Sequence, residues 1–117
     1  VASTESSAHT AFKEVVVKAK EGDTQLTLKE LAPVRLVKNK FYNDIQELYK
    51  TSPTIDELKI LLGRARAKKG MFEGDLEHGE LEIGQVSGLI HDIKPVAQIV
   101  EDVVVEFEKA KMDMSNL

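Results

Sequence analysis

Chemistry needs groups that converge, and this sequence offers few sets that could. The three histidines, His9, His78 and His91, are far apart, and no two stand at the i, i+4 spacing of a helical metal site. Each is expected to be a cap, a loop residue or a surface residue. Asp75, Glu77 and His78 form an acidic stretch bounded by Gly74 and Gly79, which reads as a solvated turn and not as an acid–base pair. Arg64, Arg66, Lys68 and Lys69 precede Gly70. They are expected in the last turns of a helix, where cations complement the negative end of its dipole. No residue is assigned a catalytic role and no metal site is expected. The segment of a different kind is Glu80-Leu81-Glu82-Ile83-Gly84-Gln85-Val86-Ser87-Gly88-Leu89. Gly84 and Gly88 lie four apart and would let a second backbone or a planar ligand come close. Gln85 and Ser87 add hydrogen-bonding groups to an otherwise apolar run.

The elements that must position these residues follow from periodicity. Phe12, Val15, Val16 and Ala19 recur at helical spacing; His9 or Thr10 could cap that helix, and Gly22 should stop it. Thr24–Lys29 alternates polar and apolar side chains and is expected to be extended. Val34-Arg35-Leu36-Val37 is β-branched enough to pair with it, although a helical turn remains open. Helical spacing returns at Phe41, Ile45, Leu48 and Tyr49 and ends before Thr51-Ser52-Pro53. Thr54-Ile55-Asp56-Glu57 reads as a capping box opening a helix with Leu58, Leu61, Leu62 and Ala65 on one face. Gly63 inside that helix suggests a close packing contact. Five of the seven glycines fall between Gly70 and Gly88, in loops with one short helix around Ile83 to Ile90. From Pro95 onward, Val96, Ile99, Val100, Val103, Phe107 and Ala110 form an apolar stripe, after which Met112 to Leu117 has nothing to hold it.

Composition narrows the class. The 117 residues suit one domain and fall far short of a complete (β/α)8 barrel, which needs about 250. Sixteen basic against twenty acidic residues and 5% aromatics disfavour nucleic acid. No apolar run approaches the ~20 residues of a membrane span. The absence of cysteine excludes disulfides and thiolate chemistry. A soluble, cytoplasmic chain is the default expectation.

The run from Gly74 to Ile90, with its Gly-Asp pair at 74–75 and Gly84-Gln85-Val86-Ser87-Gly88-Leu89-Ile90, resembles the C-terminal signature of the nitronate monooxygenase family. That family includes 2-nitropropane dioxygenases and flavin-dependent type II enoyl-acyl-carrier-protein reductases. Val1 to His9 followed by Phe12-Lys13 resembles the stretch after the family's last barrel strand. Gly22-Asp23-Thr24 and Pro33 to Asn39 fit the part between. The resemblance implies a mainly α subdomain of four to five helices, with one short extended pair, spanning residues 1–117 and packing on a parent (β/α)8 barrel outside this chain. It implies FMN in the parent and none bound by the isolated chain, because the glycine-rich phosphate loops of the family have no counterpart here. It places Gly84 and Gln85 near the cofactor, and Gln85 and Ser87 near the substrate, which would be an alkyl nitronate or an enoyl thioester. Partners implied are the barrel of the same polypeptide and, through the Val96–Phe107 stripe, a second copy. The alternative is a stand-alone helical oligomerisation module.

Overall fold

The computed structural model describes residues 1–117. Five α-helices and a two-stranded sheet follow in the order α1 (Thr10–Lys18), β1 (Thr24–Thr27), β2 (Val34–Val37), α2 (Lys40–Tyr49), α3 (Ile55–Leu62), α4 (Arg66–Met71) and α5 (Val96–Ser115), with a 3-10 segment at Gln85–Leu89 before α5. His9 caps α1, its ring nitrogen accepting from the Ala11 N–H. The helix ends at Lys18, and Gly22, at φ +87°, makes the turn into β1. The strands pair antiparallel, with Leu26 opposite Arg35 and Thr24 opposite Val37. The expected capping box forms at α3: Thr54 accepts from Glu57 N–H at 3.2 Å and Glu57 accepts from Thr54 N–H at 2.9 Å.

Two apolar clusters hold these elements. Leu28, Leu36, Phe41, Ile45 and Leu58 join the hairpin to α2 and α3, while Phe12, Val16 and Leu81 seat α1 on the glycine-rich loop. Asn39 links the two. Its side-chain oxygen caps α2 at Tyr42 N–H, and its amide donates to the carbonyls of Leu76 and Gly79, each at 2.9 Å.

One local expectation is overturned and a second is met in part. Gly63 is not a packing contact: it is exposed, takes φ +65°, and ends α3, a conformation that favours glycine. The basic run therefore does not close that helix. Ala65 turns left-handed and opens the separate helix α4, where Arg66 stands at the start and Lys68 and Lys69 in the last turn, the dipole-complementing place expected of them. Met112–Ser115 continue α5 as exposed helix that nothing else in the chain holds, because each residue added to an existing helix gains a backbone hydrogen bond without new nucleation.

α5 itself is held at its root alone. The Glu5 carboxylate accepts from Val96 N–H across a sequence separation of 91, which draws the Glu5 pKa down. Lys94 pairs with Asp102, and Ile99 is half-buried. No α5 residue is buried, and Val100, Val103 and Phe107 are each more than half exposed. The protruding helix raises the radius of gyration to 17.8 Å, against about 13 Å for a compact chain of this length.

Candidate functional site

The close-approach glycines are Gly70, Gly74 and Gly79, and not the Gly84–Gly88 pair. Gly70 and Gly79 face each other where α4 crosses the loop. A Cβ on Gly70 would stand 3.1 Å from the Gly79 Cα and 2.5 Å from Leu81 Cδ2. Gly74, at φ +80°, lies against the His9 ring. A Cβ on Gly84 would meet nothing nearer than 3.9 Å, and on Gly88 nothing nearer than 3.7 Å. Gly84 thus faces open space, while Gly88 sits at ordinary contact distance from the Lys20–Glu21 backbone.

The crossing glycines aim the rest of the loop. Asp75 accepts from the N–H groups of His78 and Glu77, which lower its pKa, the His78 bond most. It is the turn keeper expected of this stretch. Beyond it, Val37 N–H donates to Leu81 O at 3.0 Å, and Leu36 and Glu82 form an isolated bridge. This added ladder carries the chain past the hairpin and delivers Gly84, Gln85 and Ser87.

There the candidates separate. Gly84 borders an apolar cleft of about 770 Å3 between the N-terminal segment, the 3-10 segment and α5, with Ala2, Val16, Ile83, Leu89 and Ile99. Gln85 borders a polar cleft of about 570 Å3 with Lys20, Thr24, Arg35 and Gly88. Ser87 touches both, but its hydroxyl is buried and donates to Gly84 O at 2.6 Å, so it is occupied in shaping the turn. Gln85 is exposed and its amide has no partner in the chain. Of the histidines, His9 is a cap, His78 flanks the Asp75 turn and His91 lines the apolar cleft.

Sequence reasoning gave no role to Arg35 or Glu80, and placed Arg66 only in a basic run at a helix end. Arg35 reaches diagonally across the hairpin to Thr24, a pairing legible only once the strand register is known. Arg66 stacks over Phe41 at 4.3 Å and donates to the carbonyls of Leu61, Leu62 and His78, so the most prominent member of the basic run is structural.

Glu80 is buried, and burial with the neighbouring Glu82 carboxylate pushes its pKa up to about 7, against a smaller opposing pull from Arg66. The folded state thus binds this proton more tightly than the unfolded chain, whose value is near 4.5. The contribution is complete below pH ~4.5 and is lost as pH rises through ~7. Urea melts should show stability falling over that window by on the order of 2 kcal/mol. Glu80→Gln should flatten the slope, and an unchanged slope in this variant would refute the assignment.

The fold is thus an α-rich unit with one hairpin, an unpartnered apolar helix and a Gly-Gln turn set between two clefts. The chain belongs to the nitronate monooxygenase family, whose model matches residues 1–106. Among solved structures, FabK from Thermotoga maritima is 38% identical with a TM-score of 0.84, over 99% of this chain and 37% of FabK. A single-residue mutant of the same FabK is 36% identical at a TM-score of 0.80, over 99% of this chain and 34% of the mutant. The chain thus spans about a third of the length of the structures it matches. No curated protein matches it. No helix is long and apolar enough to cross a membrane.

Proposed function

We propose that this chain is the α-rich portion of an FMN-dependent (β/α)8-barrel oxidoreductase, that it packs on the barrel through α5, and that it closes one side of the flavin and substrate pocket. The observation that carries this is the pairing of a family match over residues 1–106 with an α5 face that nothing in the chain covers. Apolar residues exposed in a row, Val96, Val100, Val103 and Phe107, are costly unless another surface removes them from water.

The residues present fit one edge of a flavin site. Gly84 leaves open space beside its Cα, and Gln85 presents a free amide at the surface. FMN, when bound, supplies reversible hydride and electron transfer. Gln85 would orient the ring or the substrate through its amide, Gly84 would permit close approach, and Ser87 would hold the turn through Gly84 O. The apolar walls at Ile83, Val86 and Leu89 would exclude water. The chain supplies no catalytic residue of its own in this reading, and the substrate is an alkyl nitronate or an enoyl thioester.

The test is reconstitution. The 117-residue chain mixed with FMN should elute free of flavin absorbance, whereas the chain combined with the barrel portion of FabK should co-elute with it. In the reconstituted enzyme, Gln85→Ala should lower kcat/KM about tenfold, the loss of one hydrogen bond in a dry site. Flavin held by the chain alone, or an unaffected Gln85→Ala enzyme, would overturn the proposal. A discrete flavin-free oligomer that excludes the barrel would favour the second reading, a helical oligomerisation module, which the same uncovered face supports.

A further inference from the structure

We propose that the polar cleft between the hairpin and the 3-10 segment is a subsite for a phosphate or diphosphate group, held by Arg35 and Gln85 with Lys20 at its rim. The proposal deepens the reading above, because Gln85 belongs to both, and it gives that side of the pocket a ligand chemistry.

Arg35 carries the argument. It is half-buried on β2, and one guanidinium nitrogen, Nη1, donates to Thr24 O at 3.2 Å and Thr24 Oγ1 at 3.3 Å. The same pair fixes the side chain diagonally across the hairpin, because Thr24 and Arg35 share one face in the observed register. Nε and Nη2 have no partner in the chain, and no carboxylate lies within ion-pair distance of Arg35. An anchored guanidinium with a free donor edge is suited to bidentate contact with a phosphate or carboxylate. The other half-buried arginine, Arg66, spends its donors on three carbonyls, whereas Arg35 is anchored through one nitrogen alone.

The surroundings select among anions. Lys20 and Arg35 outnumber Glu21 among the charged groups lining the cleft, and Gln85 contributes an uncommitted amide from another element. These donors come from three separate parts of the chain, α1's exit, β2 and the 3-10 segment. A carboxylate has two oxygens and satisfies one fork, whereas a phosphate or diphosphate offers enough acceptors for all three. The volume of about 570 Å3 admits a diphosphate with its substituents. Two sources of that chemistry suit the proposed oxidoreductase: the diphosphate of a pyridine dinucleotide, and the phosphate of a pantetheine-type thioester arm.

The test is an NMR titration of the 15N-labelled 117-residue chain with inorganic pyrophosphate, sulfate, ADP-ribose and 4′-phosphopantetheine. Pyrophosphate should saturate shifts at Thr24, Arg35, Gln85 and Gly88. Arg35→Lys, which keeps the charge and loses the fork, should weaken binding about tenfold. Gln85→Ala, which breaks no contact within the chain, should weaken it several-fold without altering the fold. A gain in affinity for ADP-ribose over pyrophosphate assigns the anion to a nucleotide, and a gain for phosphopantetheine assigns it to a thioester arm. Shifts that fail to saturate, sulfate binding as tight as pyrophosphate, or equal affinity in both variants would overturn the inference. If pyrophosphate fails but Gln85→Ala still impairs the reconstituted enzyme, the anion subsite falls and the flavin-pocket reading stands. If binding is saturable and Arg35-dependent but the Gln85→Ala enzyme is unimpaired, the subsite stands and the flavin-pocket reading falls.

Discussion

Gly79→Ala should lose about 3 kcal/mol of stability, because the added methyl meets backbone that has nowhere to go. Its Cβ would stand 2.5 Å from Asp75 O and closer still to the Gly70 backbone. A side chain can rotate away from an intruding methyl, whereas two crossing main chains must separate. Separation would also strain the Asn39 bond to Gly79 O and the Glu80 N–H bond to Arg66 O, which hold the loop on α2 and α4. For a domain whose total stability is about 5–15 kcal/mol this is a large share. Gly84→Ala is the internal control, expected within ~0.5 kcal/mol of the parent chain, since the nearest atom to its Cβ is 3.9 Å away. Urea midpoints for the two variants decide the matter. A Gly79→Ala midpoint equal to that of Gly84→Ala would show that the crossing is not close in solution.

Phe41→Ala should cost more, about 3–5 kcal/mol, the range for removing a buried phenylalanine. Phe41 is 1% exposed and sits at the centre of the cluster joining the hairpin to α2 and α3. Its ring is also the platform for Arg66, whose guanidinium ties the end of α3 to the loop at His78. Truncation therefore leaves a cavity and frees a cation that bridges two elements. Denaturation should show the loss, and hydrogen exchange should show faster opening at Lys69, Phe72 and Gly79, whose N–H groups bond within α4 and the loop. A cost below ~1.5 kcal/mol would mean that the neighbouring Leu28 and Leu58 collapse into the space. The cluster would then be softer than its burial implies.

Local structure was largely legible in the residues. The Thr54–Glu57 capping box, the His9 cap and the helical period of α5 all rest on bonds spanning a few residues, so side-chain type and spacing suffice to foresee them; the strand at Thr24–Thr27 forms as expected, although its burial does not alternate. Gly63 shows the limit. A glycine in a helical pattern fits a packing contact or a helix end, and only the positive φ at this position separates the two. The basic run was assigned to the wrong helix for the same reason, although Lys68 and Lys69 do stand in a last turn, that of α4. Gly84 and Gly88 have the spacing of a close contact, yet the contact formed at Gly70 and Gly79, which a spacing rule does not connect.

The candidate site divides along the same line. The motif from Gly74 to Ile90, with the matching stretches at Val1–Lys13, Gly22–Thr24 and Pro33–Asn39, carried the family, because kinship is written in residue order, and the match over residues 1–106 agrees. Which cleft each motif residue borders was set by the ladder from Val37 to Leu81 and by the bridge at Leu36 and Glu82. The sequence alone determined most helices, the His9 and Thr54 caps and the lineage, all of which depend on residue order along the chain. The tertiary structure alone set Gln85 and Arg35 on one cleft, joined Glu5 to the start of α5 and left the face of that helix uncovered. Those outcomes depend on groups tens of residues apart competing for the same backbone partners and the same buried space, and no local pattern encodes the winner.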